Sequence, residues 1–301
     1  MFRSLLAIFI LTSVVALPQG KHDTMNRNIF YLLVEDFTFN KPGYHILTDA
    51  AKIKAAKVKK MEVIAGWEYI SDPSIPDVKG IEGFDSKETL EFDNNGNPVS
   101  YSLHGYAFEG NYVDKLIFVY GKEGAITGAK LVSTDSTGKN TNWSGEYVFK
   151  SEGGKLTSIS YKDDPNGGKR EAYPVYYFSY RADGSLEKIN AGSDAIVLMT
   201  CDEKGRISTH DKLVIKFTFH YDKNGRITKE SNQDEYGEKW DMIYKYDAKG
   251  NLTSVESDDK GYTFNKMIYT LSKDGLPAKA KNLWDTRSSR MGQNYEFRYT
   301  K

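Results

Sequence analysis

Two stretches of the sequence, HYDKNGRI at residues 220–227 and KYDAKGNL at residues 245–252, show the pattern that decides the fold. In each, an aromatic residue is followed by aspartate, two variable residues, glycine, a polar residue and an aliphatic residue. Aspartate can accept hydrogen bonds from the backbone of its own turn, and glycine can adopt the positive φ that a tight hairpin needs. Each stretch therefore predicts a strand, a turn and a second strand.

Weaker copies of this pattern recur along most of the chain. Successive copies are 20 to 30 residues apart, and such a period is typical of repeat architectures. Two strands for each copy predict about sixteen strands, all antiparallel. The glycines of the eight copies are Gly96, Gly124, Gly154, Gly184, Gly205, Gly225, Gly250 and Gly275.

The residues before each turn alternate between apolar and polar. Phe217, Phe219 and Tyr221 fall on one face, and Lys216 and Thr218 on the other, which indicates a half-buried strand. The sequence thus predicts an all-β fold of about eight consecutive antiparallel hairpins in a long twisted sheet. Because strong twist disfavours a flat sheet of this size, we expect it to be curled or barrel-like. Whether the aromatic face is a core or a binding surface stays open.

The chain divides into three predicted parts. Residues 1–16 have the pattern of a secretory signal peptide, with Arg3 before an apolar run and a cleavage site after Ala16. No cysteine follows that site, so no lipid anchor is expected, and no other apolar run is long enough to be a transmembrane segment of the mature chain. We expect a secreted or periplasmic protein with an N-terminal region at residues 17–85 and a repeat domain at residues 86–301.

The N-terminal region lacks the repeat. IFYLLVEDFTF at residues 29–39 reads as a strand or a buried segment, and residues 71–80, with two prolines, read as a linker. Thr48 and Asp49 suit a helix start, and alanine and lysine favour a helix over residues 48–63. The lysines of this segment indicate a solvated helix face, and the alternative is a surface for acidic partners. These lysines are Lys52, Lys54, Lys57, Lys59 and Lys60.

The two clearest copies resemble the YD repeat of Rhs-type bacterial proteins, and the layout of the chain is similar to that of secreted YD-repeat proteins of Bacteroidota. The resemblance covers residues 84–301 and implies a hairpin scaffold. It implies no toxin, because the large shell and the C-terminal toxin of Rhs proteins are missing, and the repeat carries no chemistry of its own. The matching residues are Tyr221, Asp222, Gly225, Arg226 and Ile227 in one copy, and Tyr246, Asp247, Gly250, Asn251 and Leu252 in the next.

Composition and motif content argue against several classes of function. The chain has 301 residues with 41 basic and 41 acidic side chains, and this zero net charge argues against a dedicated nucleic-acid binder. The single cysteine, Cys201, is expected to be a small buried residue. Five histidines without paired spacing predict no metal site, and no nucleophile motif is present. No cofactor and no catalytic residue are predicted.

The candidate ligand-binding residues are three tryptophans, Trp143, Trp240 and Trp284. Trp143 and Trp240 lie in or beside polar, turn-like stretches, where a flat amphipathic ring suits contact with a sugar or a protein. The alternative is that these rings cap the ends of the sheet core. We therefore expect a non-enzymatic binding or interaction protein of the cell envelope or exterior, with a glycan or a protein as partner. A carbohydrate-active hydrolase and a structural envelope component are the alternatives.

Overall fold

A computed structural model describes residues 23–35, 50–70, 86–107, 110–163, 171–192, 196–212, 214–257, 264–285 and 290–301. In this part of the chain, two short helices, α1 (Asp23–Glu35) and α2 (Ala50–Ala55), precede eighteen strands. The strands are β1 (Lys60–Ile70), β2 (Ser86–Phe92), β3 (Pro98–Ala107), β4 (Gly110–Tyr120), β5 (Ile126–Asp135), β6 (Thr141–Glu152), β7 (Lys155–Asp163), β8 (Tyr173–Tyr180), β9 (Leu186–Ala191), β10 (Ile196–Cys201), β11 (Ile207–Asp211), β12 (Ile215–Tyr221), β13 (Ile227–Asp234), β14 (Lys239–Tyr246), β15 (Leu252–Ser257), β16 (Phe264–Leu271), β17 (Pro277–Asp285) and β18 (Arg290–Thr300).

The strands form one closed antiparallel barrel. Each strand pairs with the next in the chain, and β1 pairs with both β2 and β18, so that the sheet has no free edge. The predicted all-β, barrel-like fold is confirmed, and the sheet is closed. The expected sixteen strands are β2 to β17, and the two further strands are β1 and β18, which close the barrel.

All eight glycines of the repeat lie in the predicted turns. Each has a positive φ, and together they join β2 to β3, β4 to β5 and so on to β16 and β17. Since alternate connections of an antiparallel barrel fall at one end, all eight lie at the same end, which we call the glycine-turn end. Gly138 and Gly237 form two similar turns at the opposite end, each three residues after an aspartate. These two copies of the Asp-x-x-Gly pattern are not among the eight turns predicted from the sequence.

The aromatic face of the sheet is the core. On β14, Met242 and Tyr244 point inward and are buried, whereas Lys245 points outward and is exposed. Outward charges pair across strands, as in the contact of 3.1 Å between Lys229 Nζ and Asp241 Oδ2. Apolar side chains also reach the outer wall, among them Ile117, Val119 and Val148 on β4 and β6, the strands on either side of β5. The interior of the barrel is therefore mainly apolar, and most of the charge lies outside.

Helix α1 lies inside the barrel. Phe30 packs on Phe118 of β4, with 5.3 Å between ring centroids, and Tyr31 packs on Phe219 of β12. These strands belong to opposite sides of the barrel, so α1 spans the interior. Of residues 29–39, read from the sequence as a strand or a buried segment, residues 29–35 are helical, and residues 36–39 lie outside the described residues. The buried side chains of this segment are Ile29, Phe30, Leu32, Leu33 and Val34. A helix satisfies its own backbone hydrogen bonds, which a lone extended segment inside a closed barrel cannot do.

Helix α2 is shorter than predicted. It ends at Ala55, and by Lys60 the backbone has entered β1, because residues 60–65 pair with strands on both sides. Ile53 is its fully buried residue. Neither helix in the described part of the chain is long and apolar enough to cross a membrane. The predicted signal peptide and the predicted linker lie outside the described residues.

Candidate functional site

Four turns at the glycine-turn end share one hydrogen-bonding pattern, in which an aspartate caps the turn. Asp222 Oδ1 accepts bonds from the backbone N–H groups of Asn224 and Arg226, at 2.8 and 2.9 Å. Burial alone would raise the pKa of Asp222, but the bonds from Arg226 outweigh it and hold the pKa below its usual range. Asp202 and Asp247 cap their turns in the same way.

Two of these turns also hold an arginine in a fixed place. Arg226 donates from Nε to Asp222 Oδ2 at 2.7 Å, and its guanidinium lies over the ring of Tyr246, 4.7 Å from the centroid. Arg206 repeats this geometry with Asp202 at 2.7 Å and Tyr221 at 4.1 Å. Each arginine thus joins its own turn to the next turn of the barrel.

Tyrosine hydroxyls reinforce the same junctions. Tyr246 donates to the carbonyl of Ile227 at 2.7 Å, and Tyr221 donates to the carbonyl of Ile207 at 2.6 Å. Burial raises the pKa of Tyr246 to about 12, so the phenol stays protonated as a donor. Tyrosine, aspartate and arginine of the repeat therefore have structural roles, in holding one hairpin against the next.

A cleft of about 580 Å³ opens between these turns and the two helices. The tips of the β10–β11, β12–β13 and β14–β15 turns form one side, and α1 and α2 form the other. Asn28 anchors α1 by donating to the carbonyl of Gly205 at 2.7 Å. Lys52 anchors α2 by donating to Asn251 Oδ1 at 2.9 Å. This volume is in the usual range of small-ligand sites.

The lining of the cleft is strongly cationic. In the part of the chain that the structure describes, seven of its residues are lysine or arginine and none is aspartate or glutamate. Asp202 pairs with Arg206 and Asp222 pairs with Arg226, and Asp247 of the third turn interacts electrostatically with Lys52. The seven cationic residues are Arg27, Lys52, Lys204, Arg206, Lys223, Arg226 and Lys249.

Four of these cations have no ion-pair partner among the described residues. Lys204, Lys223 and Lys249 are exposed at the turn tips, and Arg27 is half-buried on α1. The chain as a whole has no net charge, so this local excess of positive charge is set by the fold. Such a cleft attracts anions and can donate several hydrogen bonds to them.

The rings beneath the cleft are not open platforms. Arg206 covers a face of Tyr221, Arg226 covers a face of Tyr246, and Phe219 is only 8% exposed. A neutral sugar that binds by stacking on an aromatic face needs that face free. The chemistry that the cleft offers is therefore charge and hydrogen bonding.

The tryptophans that the sequence singled out are placed away from this cleft. Trp143 lies on β6 and Trp240 on β14, both partly buried and packed against the core. Trp240 is six residues from Tyr246 along its strand, or about 20 Å, toward the opposite end of the barrel. Trp284 lies in β17. The structure does not bring these residues to one site at the glycine-turn end.

The residues of the cleft are not among those predicted from the sequence, although the sequence contains a signal for them. Three consecutive turns read DEKGR, DKNGR and DAKGN, with a lysine at each tip. Of the lysines at 52–60, Lys52 lines the cleft, whereas Lys54, Lys57 and Lys59 are exposed. Cys201 is buried as expected, and burial raises the pKa of its thiol to about 12. Among the described residues, no group of three or more His, Cys, Asp or Glu side chains could hold a metal ion.

Comparison with known proteins gives likenesses of fold only. The sequence matches no known family and no curated protein. A porin-like protein from Bacteroides uniformis ATCC 8492 is similar, with a TM-score of 0.39 at 12% identity over 81% of this chain and 98% of that chain. TcdB2-TccC3 without its hypervariable C-terminal region has a TM-score of 0.34 at 10% identity, over 75% of this chain and 15% of that one. At these scores neither likeness carries an argument, and membership of the YD-repeat family stays a prediction.

Proposed function

We propose that this chain is an exported, non-enzymatic binding protein that holds an anionic ligand in the basic cleft at the glycine-turn end of its barrel. The observation that carries the proposal is the lining of the cleft, with seven cationic side chains and no carboxylate among the described residues. Carboxylate, sulfate and phosphate groups are the ligands that such a lining favours.

The outer wall supports a role in water. Glu62 pairs with Lys60 and Lys87, and Glu256 pairs with Lys245 and Lys266, all on strands of the barrel. The lipid-facing wall of a membrane-spanning barrel is an apolar band in which such charges are costly. We therefore place the proposed binding activity in the periplasm or outside the cell, with the interior of the barrel as a packed core.

The cleft favours binding over hydrolysis. A carbohydrate hydrolase uses two carboxyl groups that flank the bond to be cleaved. Asp202 and Asp222 are the acidic residues nearest to the arginines of the cleft, and both are held by those arginines and by the backbone of their turns. Among the described residues, the lining of the cleft thus offers cations to hold a ligand and no carboxyl group to act as acid or base.

Titration calorimetry of the purified chain tests the proposal. Citrate, pyrophosphate and galacturonic acid serve as anionic probes, and glucose and maltose as neutral ones. We expect binding of the anions alone. The double variant K223A/K249A should weaken the binding of citrate and pyrophosphate, which carry several charges each, by roughly 25-fold, since each exposed ion pair is worth about 1 kcal/mol.

A matched variant controls for the lost charge. Lys216 and Lys279 are exposed lysines on the outer wall, on β12 and β17. The double variant K216A/K279A removes the same charge from the chain but leaves the cleft intact, so we expect unchanged affinity. Equal weakening in both double variants, or equal binding of neutral and anionic probes, would overturn the proposal.

A further inference from the structure

The cations of the cleft are arranged as a row. Lys204, Lys223 and Lys249 lie at the tips of three successive turns at the glycine-turn end, one lysine to each turn. Successive turns at one end of an antiparallel barrel are two strand spacings apart, or about 10 Å. The three lysines therefore follow the rim over about 20 Å, too far apart for one compact anion to meet all three.

A second set of cations lies on the other side of the cleft. Arg27 projects from α1 and Lys52 from α2, and both line the same cleft as the three turns. The site thus has a rim of exposed lysines along one side and two cations on the helices opposite. An elongated ligand that follows the rim can contact both sets along its length.

From this arrangement we infer that the ligand is an acidic polysaccharide that lies across the three turns, with carboxylate or sulfate groups contacting successive lysines. This inference rests on the proposed function, since it names the class of anion that the cleft holds. Thr24 and Asn224 also line the cleft, and their side chains suit hydrogen bonds to sugar hydroxyls.

Two other extended anions fit the cleft less well. Single-stranded nucleic acid is held largely by bases stacked on open aromatic rings, but Arg206 and Arg226 cover Tyr221 and Tyr246 here. A peptide that binds by adding a strand needs an open sheet edge, and β1 closes this barrel against both β2 and β18. A sugar chain with spaced charges needs neither feature.

A series of chain lengths tests the inference on the full chain. Galacturonic acid, its dimer and longer oligogalacturonates carry one carboxylate for each sugar. We expect affinity to rise with length by more than tenfold, until the oligomer spans the three turns. The single variants K204A, K223A and K249A should each lower the affinity for the longest oligomer by about fivefold. Each should change the affinity for the monomer by less than twofold, because the monomer can occupy other positions in the cleft.

The outcomes separate this inference from the proposed function. If the monomer binds as tightly as the longer oligomers, the polysaccharide inference is wrong and the proposed anion site stands. If no anion binds, both are wrong. Tighter binding of oligothymidylate or of polyglutamate than of oligogalacturonate would assign the row of lysines to another polymer and overturn the inference alone.

Discussion

Helix α1 contacts two walls of the barrel that share the same strand and turn geometry but differ in the space left beside the helix at the glycine-turn end. The first wall comprises β2 to β5 and the second comprises β10 to β15. Asn26 binds the turn of the first wall at Gly124, and Asn28 binds the turn of the second at Gly205. Beside the first wall the remaining gap is about 20 Å³, room for one water molecule, whereas beside the second wall the cleft is about 580 Å³.

The difference lies in the side chains, since the turns share one geometry. On the first wall, Phe118 and Tyr120 fill the space beside the helix, and Phe30 packs against Phe118. On the second wall, lysines at the turn tips keep their ammonium groups in water, because burying unpaired charge is costly. Like charges also repel one another across the gap. The scaffold is thus common to both walls, and the open site occurs where the turns carry cations.

The largest expected effect concerns a buried carboxyl group of the first wall. Glu88 is 1% exposed, and Tyr101 donates to its Oε2 at 3.1 Å. Burial raises the pKa of Glu88 from 4.5 to about 8. The folded state therefore keeps a proton that the unfolded state loses above pH 4.5, so this group destabilises the barrel progressively as pH rises to about 8. The loss is about 1.4 kcal/mol for each pH unit in that window.

The variant E88Q tests this effect, since glutamine keeps the shape but cannot ionise. We expect the difference in free energy of unfolding between E88Q and the parent chain to change in favour of E88Q as pH rises through this window. Above the window the difference should be constant. Urea unfolding at several pH values measures the difference, with the exposed Glu203 changed to glutamine as control. A pH-independent difference between E88Q and the parent chain would show that Glu88 titrates near its ordinary pKa.

The next effect separates the two anchors of α1. Asn26 donates to Gly124 O at 2.7 Å and accepts from Ile126 N at 2.9 Å, whereas among the described residues Asn28 has one side-chain bond, to Gly205 O. The variant N26A leaves the buried N–H of Ile126 and the part-buried carbonyl of Gly124 without this partner and should cost about 2–3 kcal/mol, against about 1–2 kcal/mol for N28A. Thermal and urea unfolding of both variants measure this difference. Equal losses would mean that α1 does not rely more on the first wall.

These anchors show why the sequence predicts turns better than the site. Seven of the eight turns have a backbone bond between residues four apart, as between Asp222 N and Arg226 O, so local chemistry suffices to predict them. The bond from Asn28 to Gly205 joins residues that are 177 apart in the chain. No local pattern places α1 inside the barrel, or β1 between β2 and β18.

The cleft follows from these long-range contacts. Its lysines are visible in the sequence as three consecutive turn tips, but their approach to Arg27 and Lys52 depends on where both helices lie. The tryptophans had the stronger sequence signal, because an aromatic ring in a polar stretch suggests exposure. Trp143 and Trp240 lie instead on strands whose inward face is the core. Their role in binding stays a prediction, separate from the cleft.

Two glycines of the repeat give a matched pair across the walls. Gly124 and Gly250 have φ values of +80° and +82°, so alanine at either place strains the backbone by about 1–2 kcal/mol. A Cβ at Gly124 meets no atom within 4 Å, but one at Gly250 would lie 2.7 Å from Arg226 Nη1. The variant G250A must therefore displace Arg226 from Tyr246, and we expect it to cost about 1 kcal/mol more than G124A.

Ligand binding gives a second comparison between the variants G250A and G124A. Because Arg226 lines the cleft, G250A should weaken anion binding severalfold, whereas G124A should leave it unchanged. Unfolding by urea gives the stability of both variants, and calorimetry with an anionic probe gives the affinity. Similar affinities for the two variants would indicate that the position of Arg226 does not matter to the site.

The smallest effect tests whether the walls share one scaffold. Tyr120 donates to Pro98 O at 2.7 Å on the first wall, and Tyr246 donates to Ile227 O at 2.7 Å on the second. Phenylalanine at either place removes one hydroxyl and one hydrogen bond, at a cost of about 1 kcal/mol. We expect Y120F and Y246F to lose the same stability in urea unfolding, and Y246F to keep its affinity for anions, because Arg226 can still lie over a phenyl ring. A clearly larger loss in Y246F would mean that the hydroxyl also positions Arg226, and that the repeat itself contributes to the binding site.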